Sequence, residues 1–144
     1  MYHTLSASFL VLVVLSAAAG CGQHAAPSAT IAVDPCLQHL PSGWTIKESL
    51  ILDSRQTADI GKKLGGINIS QISNTHLLID GKQLQLNILV AKNAEDAAKV
   101  HGAISRSKGD PAFCLINDTK VYEYVGDSSI TAAFVKNVSS QLGI

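Results

Sequence analysis

The chain has 144 residues, with 11 Lys and Arg against 11 Asp and Glu, so its formal net charge is zero. This balance leaves no excess of basic charge for nucleic acid or anionic lipid, and an aromatic content of 5% argues against a stacking platform for bases or sugars. The length suits one domain with its own core. We therefore expect a single globular domain and no nucleic-acid partner.

The N-terminal stretch is apolar and carries no Asp, Glu, Lys or Arg before Asp34. The run from Phe9 to Gly20 is shorter than the about 20 residues that span a bilayer, but it suits the hydrophobic region of an export signal. It ends in Ala18-Ala19-Gly20-Cys21, which resembles the lipobox of bacterial lipoproteins. The resemblance implies that residues 1–20 are a signal peptide, removed by cleavage before Cys21, and that Cys21 carries lipid, including palmitate.

Two features depart from the lipoprotein pattern. Ala18 stands where the family usually has Leu, and the first residues contain His3 but no Lys or Arg, whereas export signals normally begin with positive charge. The alternative is an ordinary secretory signal that is cut near Ala19, with Cys21 unmodified. The lipoprotein resemblance implies a chain in the bacterial cell envelope, anchored to a membrane by lipid and facing the periplasm or the exterior.

Residues 21–35 are predicted to be the lipidated cysteine and a flexible tether, because they are small, weakly polar and contain Pro. With Cys21 assigned to the lipid, Cys36 and Cys114 remain as an even pair in an oxidising compartment, and we expect a disulfide between them. The C-x-x-H spacing after Cys21 and after Cys36 offers a zinc site as the alternative. Lipid and disulfide would consume both sulfurs, so we predict no metal and no other cofactor.

Residues 36–144 are predicted to form the globular domain. A first strand is expected over 44–53, where four apolar residues share one face. A short helix is expected from Gln56 to Leu64, ended by Gly65-Gly66. This part of the chain therefore begins with a strand and a helix.

The clearest pattern is a hairpin around Asp80-Gly81. Apolar residues alternate on both sides of this dipeptide, which suits a type I′ turn because both central residues need positive φ. Ile67 and Ile69 are out of phase with Ile72, so we expect a bulge or break near residues 70–74.

A second helix is predicted from Asn93, a good N-cap, to about Gly109. Its buried stripe is expected to consist of Ala94, Ala97, Ala98, His101 and Ile104. A second hairpin over 112–125 and a final helix capped at Asp127 or Ser128 complete the order β-α-β-β-α-β-β-α. This order predicts an α+β two-layer sandwich, with a mostly antiparallel sheet of about five strands and helices on one face.

Four residues are candidates for ligand binding. Tyr122 and Tyr124 share one face of a strand, where they would line a groove, and His76 and His101 are the polar candidates. Each has a structural alternative: core packing for the tyrosines and a locally bonded, partly buried side chain for His101. The chain lacks the common nucleophile, phosphate-loop and zinc-protease motifs. We therefore predict no catalytic residue.

These patterns predict a non-catalytic binding or accessory domain that is tethered to a membrane through its lipid. Its partner would be an unknown envelope protein or a small ligand. Two alternatives stay open. One is a small-molecule-binding domain that uses the sheet face, and the other is a metal-dependent or histidine-dependent enzyme built on His76 and His101.

Overall fold

A computed structural model describes residues 34–108 and 114–144. The predicted signal peptide, the lipidation site Cys21 and most of the tether lie outside the described residues. The folded unit runs from Asp34 to Ile144, so it begins two residues before the predicted boundary at Cys36. Within the described ranges, no helix has both the length and the apolar character needed to cross a membrane.

Five antiparallel strands form one sheet in the order β1-β2-β3-β5-β4. The predicted α+β class, the five strands and the order of strands and helices are confirmed, with a short 3-10 helix, η1, added at the start. The elements are η1 Pro35–Leu37, β1 Trp44–Ile51, α1 Ser54–Lys63, β2 Ile69–Ile79, β3 Lys82–Ala91, α2 Ala94–Lys108, β4 Cys114–Asn117, β5 Lys120–Gly126 and α3 Ser128–Leu142.

Local side-chain bonds explain where two of the helices begin. The Gln56 amide donates to Asp53 Oδ1 at 2.8 Å, and the Asp53 amide donates to Gln56 Oε1 at 3.1 Å, which is a complete capping box for α1. Asp127 caps α3 by accepting from the Ser129 amide at 2.9 Å, and Gly143 ends that helix with φ of +70°. Each cap satisfies a backbone donor or acceptor that the helix leaves unpaired.

The first hairpin has the predicted turn and the predicted irregularity. Asp80 and Gly81 both have positive φ, +49° and +80°, as a type I′ turn requires. The register between β2 and β3 shifts between Ile69 and Gln71. The expected bulge is therefore present at the beginning of β2.

Gly61 lies inside α1, where glycine normally weakens a helix. A Cβ atom at this position would lie 2.4 Å from the carbonyl oxygen of Ile67, and the Gly61 carbonyl accepts from the Ile67 amide at 3.0 Å. The chain after α1 thus folds back directly against the helix backbone. Close approach of the backbone, rather than helix propensity, explains the glycine.

One face of the sheet, the first face, carries a continuous apolar cluster. The β3 and β5 side chains that point to it pack against η1 and α3. Phe134 of α3 is fully buried, with its ring 5.6 Å from that of Trp44 and 5.3 Å from that of Tyr124. The buried cluster consists of Cys36, Leu37, Leu77, Ile79, Leu84, Leu86, Ile88, Tyr122, Tyr124, Ile130, Phe134 and Val138.

The opposite face, the second face, is covered over part of its area by α1 and α2. Its buried apolar residues are separate from the first cluster: Ile60, Ile72, Leu89, Ala91, Ala97, Val100, Ile104, Cys114 and Val121. Along α2 the predicted stripe is right for Ala97 and Ile104 but wrong for Ala94 and Ala98, which are exposed, and it omitted Val100.

Helices therefore flank both faces of the sheet, whereas the sequence predicted helices on one face. The reason lies in β3, which ends in the uninterrupted apolar run Ile88–Ala91. Because side chains alternate along a strand, this run places apolar groups on both faces, and both faces then need a cover.

Strand β1 lies at one edge of the sheet and is largely exposed. Its register with β2 shifts between Ile46 and Glu48, so the four apolar residues expected to share one face are divided between two. Ile46 and Ile51 are 39% and 44% exposed. The prediction that one side of this strand is covered is therefore wrong for most of its length.

Candidate functional site

On the second face of the sheet, several polar side chains of neighbouring strands lie opposite one another. The strand register places Asn74 opposite Asn87, Asn87 opposite Glu123, and His76 opposite Gln85. Asn74 and Asn87 are buried, whereas the other three side chains are partly exposed. We call this region the polar half-face, made of Glu48, Asn74, His76, Gln85, Asn87, Glu123 and Val125.

Hydrogen bonds link three strands across the polar half-face. Asn74 Nδ2 donates to Asn87 Oδ1 at 2.6 Å, and Gln85 Nε2 donates to the same oxygen at 3.0 Å. Asn87 Nδ2 in turn donates to Glu123 Oε2 at 2.8 Å. We call Asn74, Asn87 and Glu123 the amide row. Its bonds run in one direction and end on a carboxylate, which strengthens the last of them.

The other end of the amide row is an unpaired acceptor. Asn74 is 0% exposed, and its Oδ1 atom has no hydrogen-bond partner among the described residues. A buried amide oxygen left without a donor costs about 1–3 kcal/mol of stability. Asn74 Nδ2 bonds to Asn87, so the cost falls on the Asn74 oxygen alone. A hydrogen-bond donor to Asn74 Oδ1 would therefore come from outside the described residues.

The predicted tyrosine groove is not assembled. Tyr122 and Tyr124 are each 1% exposed and belong to the first-face cluster, and their burial raises the pKa of both hydroxyls well above the usual value. Glu123 lies between them and points to the second face, as His76 does. Core packing, the structural alternative for the tyrosines, is what the structure shows.

The two histidines do not form a pair. His101 lies on α2 with its Nε2 atom 3.1 Å from the carbonyl oxygen of Cys114, on β4. His76 lies on β2, and β3 and β5 separate β2 from β4. Three strand spacings amount to about 14 Å. An acid–base or metal-binding partnership between these histidines therefore finds no geometric support.

Cys36 and Cys114 are both buried thiols in the structure. Cys36 belongs to the first-face cluster, whereas Cys114 pairs with Glu123 in register and so points to the second face. A bond between them would require the chain to move, because the sulfurs of a disulfide must nearly touch. The disulfide stays a prediction, and the strand register does not favour it. Among the described residues no group of three potential metal ligands occurs.

Asp34 attaches the start of the folded unit to β5. Lys120 Nζ lies 2.7 Å from Asp34 Oδ2, and the Cys36 amide donates to Asp34 Oδ1 at 3.1 Å. Burial acts to raise the pKa of the Asp34 carboxyl, but the hydrogen bonds from Lys120 and Cys36 outweigh it and leave the pKa below its usual value. Burial and the nearby Asp34 charge raise the pKa of the Cys36 thiol far above normal.

No family model, no curated protein and no solved structure matches the chain. The role of the amide row is therefore inferred from the residues of this chain. Sequence reasoning missed Asn74 and Asn87 as site residues. One signal was present: Asn87 interrupts the otherwise apolar end of β3, and Glu123 alternates with two tyrosines. The alignment of Asn87 with Glu123 depends on the pairing of β3 with β5, which the sequence pattern does not specify.

Proposed function

We propose that this chain is a bacterial cell-envelope lipoprotein whose folded unit is a non-catalytic binding domain. The anchor rests on the leader, where an apolar run precedes Ala18-Ala19-Gly20-Cys21. The binding role rests on one observation: none of the described residues donates a hydrogen bond to the fully buried oxygen of Asn74 at the end of the amide row. A surface that keeps a buried acceptor without a donor is suited to receive one from a partner.

The contrast with the first face supports the binding role. Where the sheet serves packing, under α3, its side chains are apolar. The polar half-face instead holds amides and a carboxylate that need hydrogen bonds when they lose water. Such groups give a binding site its orientation and specificity.

The anchor is tested by expressing the full chain in bacteria with an alkyne-tagged palmitate. The wild-type chain should take up the label and sediment with membranes. Cys21→Ser should do neither, because it lacks the sulfur that carries the lipid. Cys36→Ser is the matched control and should keep the label. An unlabelled wild-type chain whose mature N-terminus lies near Cys21 would contradict the anchor and establish the secretory alternative.

A small molecule is the second candidate partner, and the burial of the Asn74 oxygen favours it, since a donor that reaches this atom has to be small. A native mass spectrum of the full chain, extracted gently from membranes without chelator, separates the candidates. A small added mass supports a ligand, and a copurified subunit supports an envelope protein. A chain that carries neither contradicts the binding role.

A further inference from the structure

The orientation of the amides in the amide row is fixed from one end. As a carboxylate, Glu123 can only accept hydrogen bonds, so Asn87 must turn its Nδ2 group towards Glu123. Asn87 Oδ1 then faces Asn74, which must present its own Nδ2 group. Reversing either amide would set two acceptors against each other. The unpaired atom of the row is therefore an acceptor, and the missing group is a donor.

The same chain of bonds makes that acceptor prefer a positive charge. An amide that donates a hydrogen bond becomes a stronger acceptor at its oxygen, and the effect passes along a chain of such bonds. Here the chain ends on the negative charge of Glu123, so the polarisation draws electrons towards Asn74 Oδ1. None of the residues that form the polar half-face is Lys or Arg. A cationic donor is thus the best match.

A second carboxylate lies on the side of the unpaired oxygen. Asn74 Nδ2 points towards β3, so Oδ1 is directed away from β3, and β1 is the strand on the other side of β2. On β1, the half-buried Leu50 is directly opposite Asn74, and Glu48 pairs with His76, two residues along β2 from Asn74. Diagonal neighbours of this kind have Cβ atoms about 7–8 Å apart, within reach of a long side chain. Glu48 is exposed and available to a ligand.

We propose that the polar half-face binds a ligand through a primary ammonium group held between Asn74 Oδ1 and the Glu48 carboxylate. An ammonium has three donors and no acceptor, as this pair of oxygens requires. The proposal rests on the binding role proposed above and names the chemistry of the ligand. An amino sugar and an aliphatic diamine both carry this group.

The test is a titration of the isotope-labelled full chain, solubilised in detergent, observed through the side-chain amide signals of Asn74 and Asn87. Glucosamine and 1,5-diaminopentane are the probes, and N-acetylglucosamine is the control that lacks the ammonium group, all at equal ionic strength. We expect saturable shifts of both amide signals with one or both amines and none with N-acetylglucosamine. Which amine binds more tightly tells the sugar from the diamine source.

Three variants assign the contacts. Glu48→Gln removes the facing charge and should weaken amine binding about tenfold, since bonds to charged groups are worth more than neutral ones. Glu123→Gln keeps an acceptor for Asn87 but removes the charge that polarises the row, so it should weaken binding severalfold. Asn74→Leu should abolish binding. Glu95→Gln, on an exposed carboxylate of α2 that pairs with Lys99 at 2.7 Å, should have no effect.

Three results would overturn the proposal. Equal shifts with N-acetylglucosamine would show that the site binds without an ammonium group. Unchanged binding in both Glu48→Gln and Glu123→Gln would show that these charges do not hold the ligand. This result does not depend on whether the Asn74 variant folds. If no probe shifts the amide signals of Asn74 and Asn87, the donor to Asn74 Oδ1 is a buried water and not a ligand. If native mass spectrometry still found a ligand or subunit in that case, the binding role would stand without this site.

Discussion

The first face of the sheet is apolar along β3 from Leu84 to Val90, whereas on the second face Gln85 and Asn87 precede the apolar Leu89 and Ala91. Both faces are built from the same strands, and neighbouring residues such as Asn87 and Ile88 point to opposite faces. The first face is held by contacts whose strength depends on volume and shape. The polar half-face is held by directed bonds, each of which depends on its neighbour.

This difference teaches that the two faces should respond differently to substitution. Apolar contacts add up approximately when the sites are separate, while members of one hydrogen-bond network are strongly coupled. The stability lost on removing one core side chain therefore reports the contribution of that side chain alone. The stability lost on removing one amide also includes the cost of leaving its hydrogen-bond partners unsatisfied.

Phe134→Ala should have the largest effect, because it leaves a cavity between Trp44 and Tyr124 in the first-face cluster. We expect the free energy of unfolding to fall by about 3–5 kcal/mol in a denaturant titration. Lys136→Ala, an exposed position on the same helix, should change it by less than about 0.5 kcal/mol. A loss below about 1 kcal/mol for Phe134→Ala would mean that the cluster is not the main core.

Asn87→Leu should have an intermediate effect of about 1–3 kcal/mol, since it removes the acceptor of the buried Asn74 amide and of the partly exposed Gln85 amide, together with the bond to Glu123. Asn74→Leu in the same chain removes one of those donors along with the unpaired oxygen. The double variant should therefore lose less stability than the sum of the two single variants, as measured by a double-mutant cycle in urea. Simple additivity would show that the amide row is not a coupled network.

Lys120→Met should have the smallest effect, about 1 kcal/mol or less at neutral pH. The pKa of Asp34 is lowered in the folded chain, so its contribution to stability is present above the usual Asp pKa of about 4 and is lost as the pH falls through the lower folded value. The variant should show a shallower loss of stability below about pH 4 in thermal unfolding.

The exposed ion pair between Lys99 and Glu95 provides the control for that experiment. Lys99→Met should change the acid dependence less than Lys120→Met does, because solvent screens the exposed pair. Equal changes in the two variants would mean that the attachment of Asp34 to β5 contributes no more than a surface contact.

Much of the fold was readable from local signals. The cap at Asp127, one of two predicted positions, the turn at Asp80-Gly81 and the phase change at Ile69 all depend on residues close together in the chain, and the structure confirms them. The layering was not predicted, because it depends on which helix covers which face. That information lies in the apolar run at the end of β3 and was read there as simple alternation.

The candidate site was the least predictable part. Tyr122 and Tyr124 were predicted to bind a ligand because they share one face of a strand, whereas the structure buries both in the first-face cluster. The amide row brings together residues of three strands. The Asp80-Gly81 turn sets Asn74 opposite Asn87, but Glu123 joins them only through the pairing of β3 with β5, which is distant in the chain. The pattern of a single strand therefore does not identify the amide row.

The register shift in β1 affects how readily copies of this chain associate through their sheet edges. An exposed edge strand invites a neighbouring molecule to continue the sheet, and the danger grows when many copies are confined to one surface. The register shift between Ile46 and Glu48 interrupts this edge and sets Lys47 and Glu48, both exposed, beside the apolar Ile46. A second copy approaching in line would find its ladder broken after a few residues and would meet charged groups. The irregular, charged edge thus disfavours strand pairing between copies of this chain.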